Sequence, residues 1–382
     1  MIILGIESSC DETAAAIVED AARVRSNVVA SQHDIHTKYG GVVPELASRA
    51  HMERMLPVIR RALGEAHLTL ADIDAVAVGH RPGLIGSLLV GVAAAKALAW
   101  SLGKPLIGVD HVQAHLYAGV LEDATPRPTQ RGVVVERSET GEESASQPDR
   151  SPTAFPALGL VVSGGHTSIY LVRSWLDLTR LGATIDDALG EAYDKVATIL
   201  GVPFPGGPNL DRLAQSPGAI DRIEDLPISR LSPTSLDFSF SGLKTAMLYQ
   251  VRGVPEHPAH KRAESRYVPP PPLTDERRRD LAATFQRAAC RTITLKLERA
   301  LEQLRAQNIH IKSLLTGGGV TANSRLRAEL TAFASAHDLT LALPKLSYCV
   351  DNAAMLAGLA FHHLQAGRTS DLTLEPVPTT AC

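Results

Sequence analysis

LGIESSCDETAAAIV (residues 4–18) and LGLVVSGGHTSIYLV (158–172) share one plan. Each is an apolar run, a tight turn of small and polar residues, and a second apolar run, which predicts a β-hairpin. A second echo follows each of them. AVAVGHRPGLIGSLLVG (75–91) and SLLTGGGVTANSRLR (313–327) both read as strand, Gly-rich loop and helix. Two such units in the same order predict an α/β protein of two similar halves around a cleft. Helices are expected at 45–66, 84–102, 107–121, 186–200, 275–307, 322–337 and 350–367. The first half is expected to cover 1–122 and the second 157–382.

Two stretches read as insertions. Residues 123–156 contain ERSETGEESASQPDRSP, a polar, Pro- and Ser-rich run without period. Such a run buries too little apolar surface to offset the entropy of ordering, so a flexible loop is expected between the halves. Residues 252–275, with four prolines at 269–272, read as a polyproline II spacer.

The 382 residues are 45% hydrophobic and 21% charged, which describes a globular chain of about two domains. Net charge is −3, so no global basic field announces nucleic acid, and any RNA contact needs a local patch. Arg277-Arg278-Arg279 with Arg287 and Arg291 form one such candidate, and Arg49, Arg54, Arg60 and Arg61 another; solvated helix faces explain such charges equally well. Cys10, Cys290, Cys349 and Cys382 form no C-x-x-C pair, which fits a reducing cytoplasm better than a disulfide scaffold. The start meets acids within a dozen residues and is not expected to be a signal peptide. The apolar run Leu84–Leu102 is interrupted by Gly86, Ser87, Gly91, Lys96 and Ser101, and is expected to be a buried helix and not a membrane span.

Candidate chemistry gathers in the loops. His111 and His115, in DHVQAHLYA, lie four apart, so a helix projects both from one face, where two imidazoles can bind one divalent ion. A metalloprotease H-E-x-x-H would need Glu after the first His; here Val112 stands there. Two ordinary helical histidines are the plain alternative. Asp351, in SYCVDNAAM, serves either as an acid at the start of the last helix or as the carboxylate that completes a His-His-Asp site. Val162-Ser163-Gly164-Gly165-His166 occupies the second hairpin turn, where two glycines let amides face an anion or simply make the turn. Gly317-Gly318-Gly319 leads into a helix near Asn323, an arrangement that accepts an anion or nucleoside. Asp194 and Asp211, beside the Gly-rich PGGP turn that includes Gly207, can accept ribose hydroxyls or remain solvated acids. Glu7, Asp11 and Glu12, in the first turn, can orient water or a cation near phosphates.

Together GIESSCDET, GGVVPELASRAH, PGLIGSLLVG, HVQAH, VSGGHT, PGGP, FSFSGLKT, GGGVTANSRLR and YCVDNAAM resemble the bacterial tRNA N6-adenosine threonylcarbamoyltransferase family, formerly called O-sialoglycoprotein endopeptidases. The resemblance covers nearly the whole chain outside the two insertions. It implies an actin-like ATPase fold, shared with sugar kinases and heat-shock ATPases, of two ribonuclease-H-like halves. It implies one metal, iron(II) or zinc, on His111, His115 and Asp351. It implies a threonylcarbamoyl-adenylate held by Val162, Ser163, Gly164, Gly165 and His166 with Asp194, Gly207, Asp211 and Asn323. His166 is the candidate general acid or base, or a binding group alone, and Glu12 a second catalytic candidate; Cys10 is expected to be structural. The implied reaction moves the threonylcarbamoyl group to N6 of the adenosine 3′ of the anticodon and releases AMP. Implied partners are tRNA, a paralogous actin-like subunit and a small P-loop ATPase. The family usually has G-P-G where this chain has Arg81-Pro82-Gly83; the arginine either crowds a close backbone approach or adds a phosphate contact. Three rivals stand beside this reading: a metalloendopeptidase, a kinase-like ATPase on the same fold, and a non-catalytic scaffold.

Overall fold

The computed structural model describes residues 1–124, 153–223, 225–253 and 270–379. The insertions expected at 123–156 and 252–275 lie for the most part outside the described residues.

The first sheet begins with an antiparallel meander, β1 (Ile2–Glu7), β2 (Glu12–Glu19) and β3 (Arg23–Ser31). The short α1 (His33–His36) and the long α2 (Pro44–Ala66) follow. Then β4 (Ala75–Arg81), α3 (Ile85–Leu102), β5 (Leu106–Asp110), α4 (His111–Tyr117) and the short β6 (Glu122–Asp123) complete the half. The second sheet repeats the meander as β7 (Ala157–Val162), β8 (Thr167–Ser174) and β9 (Asp177–Ala183). It continues with α5 (Leu189–Ile199), α6 (Gly206–Ala214), α7 (Ser241–Arg252), α8 (Asp275–Ala306), β10 (Ser313–Gly317), α9 (Ser324–Ala336), β11 (Thr340–Ala342) and α10 (Ala353–Gln365).

The strand orders are β5-β4-β1-β2-β3-β6 and β11-β10-β7-β8-β9. In both sheets the first strand of the hairpin pairs antiparallel with the second and parallel with the strand before the Gly-rich loop. The internal echo in the sequence is therefore a structural repeat.

Side chains alternate across the first sheet as the pleat requires. Leu4, Ile6, Ala15 and Ile17 meet Met55, Val58, Ile59 and Val92 of α2 and α3. Ile3, Ala14 and Ala16 meet Ala353, Ala354 and Ala357 of α10 on the other face. So α10, although it follows β11 in the chain, packs on the first sheet. A larger core under the second sheet joins Leu158, Leu160 and Ile169 to Tyr193, Phe238, Phe240, Phe285, Ile293 and Leu297. Each fully buried side chain of this size contributes about 1.5–3 kcal/mol.

Several elements differ from expectation. The helix expected over 107–121 is divided: Leu106, Ile107 and Val109 complete the sheet, and the helix starts only at His111. The helix expected to open with Asp351 starts at Ala353, because the Asn352 side chain takes the capping position and accepts from Met355 N at 3.0 Å. The PGGP turn is the start of α6, and α7 is a second helix the sequence reading missed. The apolar helix expected to be buried is one-third buried. Ser87, Leu88, Val92, Ala95 and Ala99 face the sheet, while Ile85, Leu89 and Trp100 are exposed. By length and composition alone it could cross a membrane.

FSFSGLKT is anchored by two neighbouring acids. Asp186 accepts from the Ser239 hydroxyl at 2.5 Å and the Ser241 hydroxyl at 2.6 Å. Asp187 pairs with Lys195 Nζ at 2.6 Å and Lys244 Nζ at 2.7 Å. Burial works against the Asp187 charge, but the two ammonium groups outweigh it and hold the carboxyl below its usual range. A folded-state pKa below the unfolded value gives stability that is present at neutral pH and is lost as pH falls through the carboxylate range. Asp187→Asn is therefore expected to lower the denaturation midpoint at pH 7, with the gap to wild type closing below about pH 4. A gap that persists unchanged at low pH in urea titrations would contradict the pairing.

Candidate active site

His111 and His115 project from α4 into the space between the two sheets' hairpin turns, one helical turn apart. Their rings stand edge to face with centroids 4.6 Å apart. Asp351, freed from capping by Asn352, faces both. Its Oδ1 lies 3.5 Å from His111 Nε2 and 3.2 Å from His115 Nε2. All three donor atoms fall within 4.8 Å of one another.

The donor set fits a divalent cation on two observations. Neither ring nitrogen of fully buried His115 has a well-formed hydrogen bond, Nε2 having only the 3.2 Å contact with Asp351 Oδ1, an unfavourable state unless a ligand completes it. His111 Nδ1 is held by Glu7 Oε2 at 2.8 Å and Ser9 Oγ at 3.2 Å, which leaves Nε2 for a metal. A carboxylate behind a ligating imidazole is the usual device for fixing ring direction and raising donor strength. The site also attracts positive charge. Burial opposes protonation of His111, yet the Glu7 and Asp351 carboxylates outweigh it and raise its pKa well above the usual value. Burial instead lowers that of His115.

Glu7 is the functional residue whose role the sequence reading missed. It was grouped with Asp11 and Glu12 as a turn acid, but it ends β1, is fully buried, and meets a histidine 104 residues away. No local pattern announces such a contact.

The histidine–aspartate cluster opens onto a cavity of about 470 Å³, where Ser163, Gly164, Gly165 and His166 face Ser9, Glu12, Gly83 and Asp351. The G-G-H turn thus faces the histidine–aspartate cluster. A Cβ at Gly164 or Gly165 would meet nothing within 4 Å, so the room beside these residues belongs to the cavity. The turn is closed by Ser163 N donating to His166 O at 2.7 Å. Val162 lines neither this cavity nor the next; its side chain is fully buried in the core at the end of β7. Burial, with the neighbouring histidines, lowers the His166 pKa to about 4, so the ring is neutral at pH 7. Burial, together with Asp351 and Asp11, raises the Glu12 carboxyl above its usual range and favours its protonated form. Burial also pushes the Cys10 thiol up, against a nucleophilic thiolate. Val112 is buried in a hydrophobic cluster with Leu116 and Val161, so it supplies no hydrolytic base of a zinc protease at that place.

A second cavity of about 490 Å³ adjoins the first, sharing Glu12, Gly164, Gly319 and Val350. Asp194, Gly207, Asp211 and Asn323 line it together, with Gly190 and Tyr193 in addition. The acids also tie the walls together. Asp194 Oδ1 accepts from Gly207 N at 3.2 Å at the start of α6. Asp211 accepts from the Ser324 hydroxyl at 2.8 Å and from Gln286 Nε2 at 2.9 Å. Asn323 caps α9 through Leu326 N at 2.9 Å. Helices α5, α6, α8 and α9 thus hold one pocket, and Gly207 leaves it open, since a Cβ there would meet nothing within 4 Å.

Arg81 lines neither cavity and pairs through Nε with Asp110 Oδ2 at 3.2 Å. The arginines at 277–279 are engaged within the fold: Arg278 with Leu200 O and Asp275, Arg279 with Asp280 and Pro217 O, Arg277 with Gln250. Arg287 and Arg291 likewise bond Asp221 O and Glu298. These arginines thus all make contacts within the fold.

The twin sheets, with a site where their turns meet, define an actin-like ATPase fold. Full-length HypF in its phosphate- and nucleotide-bound form aligns over 97% of this chain and 47% of its own, with a TM-score of 0.52 at 12% identity, a likeness of fold alone. The family model TsaD, described as tRNA N6-adenosine threonylcarbamoyltransferase, matches residues 23–136 and 141–358. The protein of that name from Symbiobacterium thermophilum is 44% identical over 378 residues, 99% of this chain and 96% of its own. Its namesake from Pelobacter propionicus is 43% identical over 381 residues, 99% and 97% of the two chains. The chain belongs to the tRNA N6-adenosine threonylcarbamoyltransferase family, a family of transferases.

Proposed function

We propose that the chain transfers a threonylcarbamoyl group from threonylcarbamoyl-AMP to N6 of adenosine 37 in tRNAs that read codons beginning with A, releasing AMP. One observation carries this reading: His111 and Asp351 of the cluster and the G-G-H turn line one cavity that runs into a second, nucleotide-sized one.

The donor is a mixed anhydride, already activated, so no covalent enzyme intermediate is needed. N6 of adenine attacks the carbamoyl carbon, the bond from that carbon to the phosphate oxygen breaks, and AMP leaves with the electron pair. Adenine N6 is a weak nucleophile because its lone pair is delocalised into the ring. Holding it against the donor can supply about 7–11 kcal/mol of the barrier. Asp194, Gly207, Asp211 and Asn323 bind and orient the adenosine end of the donor. The Gly164 and Gly165 amides face the phosphate or carbamoyl oxygens, where negative charge develops. Neutral His166 accepts the proton released from N6, and protonated Glu12 donates to an oxygen of the donor. His111, His115 and Asp351 hold one iron(II) or zinc ion, which supplies Lewis-acid chemistry when bound.

tRNA, a paralogous actin-like subunit and a small P-loop ATPase are the proposed partners, and the cytoplasm the compartment. The exposed stripe Ile85, Leu89 and Trp100 of α3, with Met52 and Leu56 of α2, supports a protein partner. Mass spectrometry of tRNA nucleosides after depletion of the native gene tests the activity. Rescue by wild type is expected to restore threonylcarbamoyladenosine, and Asp211→Ala to restore little. Modified nucleoside at full level in depleted cells without rescue would remove the reading.

A further inference from the structure

The second half-turn of β4 carries a bulge. Gly79 pairs with Val109, yet it is Arg81 that pairs with Asp110, so His80 is the extra residue. A bulge re-aims the side chain that follows it. Here it turns Arg81 toward Asp110, the last residue of β5 and the one just before His111. The bulged residue is itself clamped by the C-terminal segment: Val377 N donates to His80 O at 2.8 Å, and His80 Nδ1 to Glu375 O at 3.2 Å.

Asp110 joins the strand to the metal helix with a single carboxylate. Its Oδ2 accepts from Arg81 Nε at 3.2 Å, and its Oδ1 accepts from Gln113 N at 3.1 Å as the cap of α4. Its side chain is only 7% exposed, so Arg81 offsets a charge largely removed from water. Taking one partner from such a pair leaves an uncompensated charge.

The two histidines depend on this cap to different degrees. The His111 ring is fixed by Glu7 and Ser9. Beyond the 3.2 Å contact of its Nε2 with Asp351 Oδ1, no partner holds the His115 ring, so its direction follows the path of α4. That helix has seven residues, too few to hold its shape without its cap and its packing.

We propose that Arg81 is a positioning residue for the metal helix: through Asp110 it fixes the start of α4 and thereby the direction of His115. The inference rests on the metal-site reading above. It gives a role to the arginine that stands where the family pattern has glycine.

The test is competition for Zn²⁺ between the full-length chain and a chromogenic chelator. Arg81→Met is expected to weaken Zn²⁺ binding roughly tenfold, as loss of an outer support of a ligand does, and Arg81→Lys to recover part of it. Asp110→Asn should weaken binding similarly, and the double variant no more than the worse single one, because both act through one contact. Amide hydrogen exchange of the metal-free chain gives a second readout: Gln113 to His115 should exchange faster in Arg81→Met, with the rest of the first sheet unchanged. Wild-type affinity and exchange in Arg81→Met overturn the brace, as do effects of Arg81→Met and Asp110→Asn that multiply in the double variant. His115→Ala separates the two ideas. If it too binds Zn²⁺ like wild type, the metal site itself is wrong and the brace falls with it; if only Arg81→Met does, the site stands and the brace alone fails.

Discussion

His115→Ala is expected to lose metal binding by a factor of about 100 or more, beyond what outer supports cost, and to reduce threonylcarbamoyl transfer to background. The chain should nevertheless stay folded. The ring's polar contact is with Asp351 Oδ1, which keeps His111 Nε2 at 3.5 Å, so its removal leaves no orphaned partner. The packing lost at this buried position is worth about 2 kcal/mol, within the ordinary range for one substitution. Metal analysis of the purified variant, a melting curve and a transfer assay separate these effects. A folded, metal-free variant that transfers at the wild-type rate would show that the cluster is not part of the chemistry.

Gly317→Ala should produce the largest loss of stability and should reach the same site from behind. Gly317 ends β10, and a Cβ there would overlap the backbone carbonyl of His115. The obstacle is main chain at the centre of α4, so no side-chain rotation relieves it. Either β10 shifts, disturbing its parallel pairing with β7, or α4 is pushed toward Asp351. Overpacking of this kind costs about 3 kcal/mol. A lower urea midpoint together with weakened metal retention is the expected pair of results. A variant as stable as wild type with full metal content would mean that the strand and helix are less closely packed than described.

The parts of this molecule legible in its sequence are those that local pattern determines. Two hairpins with the same alternation, and two strand–loop–helix units after them, give the repeated sheet. The i, i+4 pair His111 and His115 is legible because helix periodicity alone puts both rings on one face. What the sequence hides is set by distance along the chain. Asp351 reads as a helix acid until Asn352 is seen to take the cap. Glu7 reads as a turn acid until β1 delivers it to His111. Arg277, Arg278 and Arg279 read as a basic patch because their carbonyl partners, at Gln250, Leu200 and Pro217, lie on other elements. The division of 107–121 into strand and helix was hidden for a different reason. An apolar run of strand length cannot be told from the first turn of a helix by periodicity, and only the vacant edge beside β4 decides it. His166 shows the same limit in its chemistry: its position in the turn is visible in VSGGHT, but its neutrality follows from burial beside two other histidines.

X-ray absorption at the metal edge of the purified chain tests the central claim most directly. Two imidazole nitrogens at about 2.0–2.1 Å and a carboxylate oxygen are expected around one ion per chain, with the metal signal lost in purified His115→Ala. A coordination sphere without imidazole, or a spectrum unchanged by that substitution, would contradict the site on which the account stands.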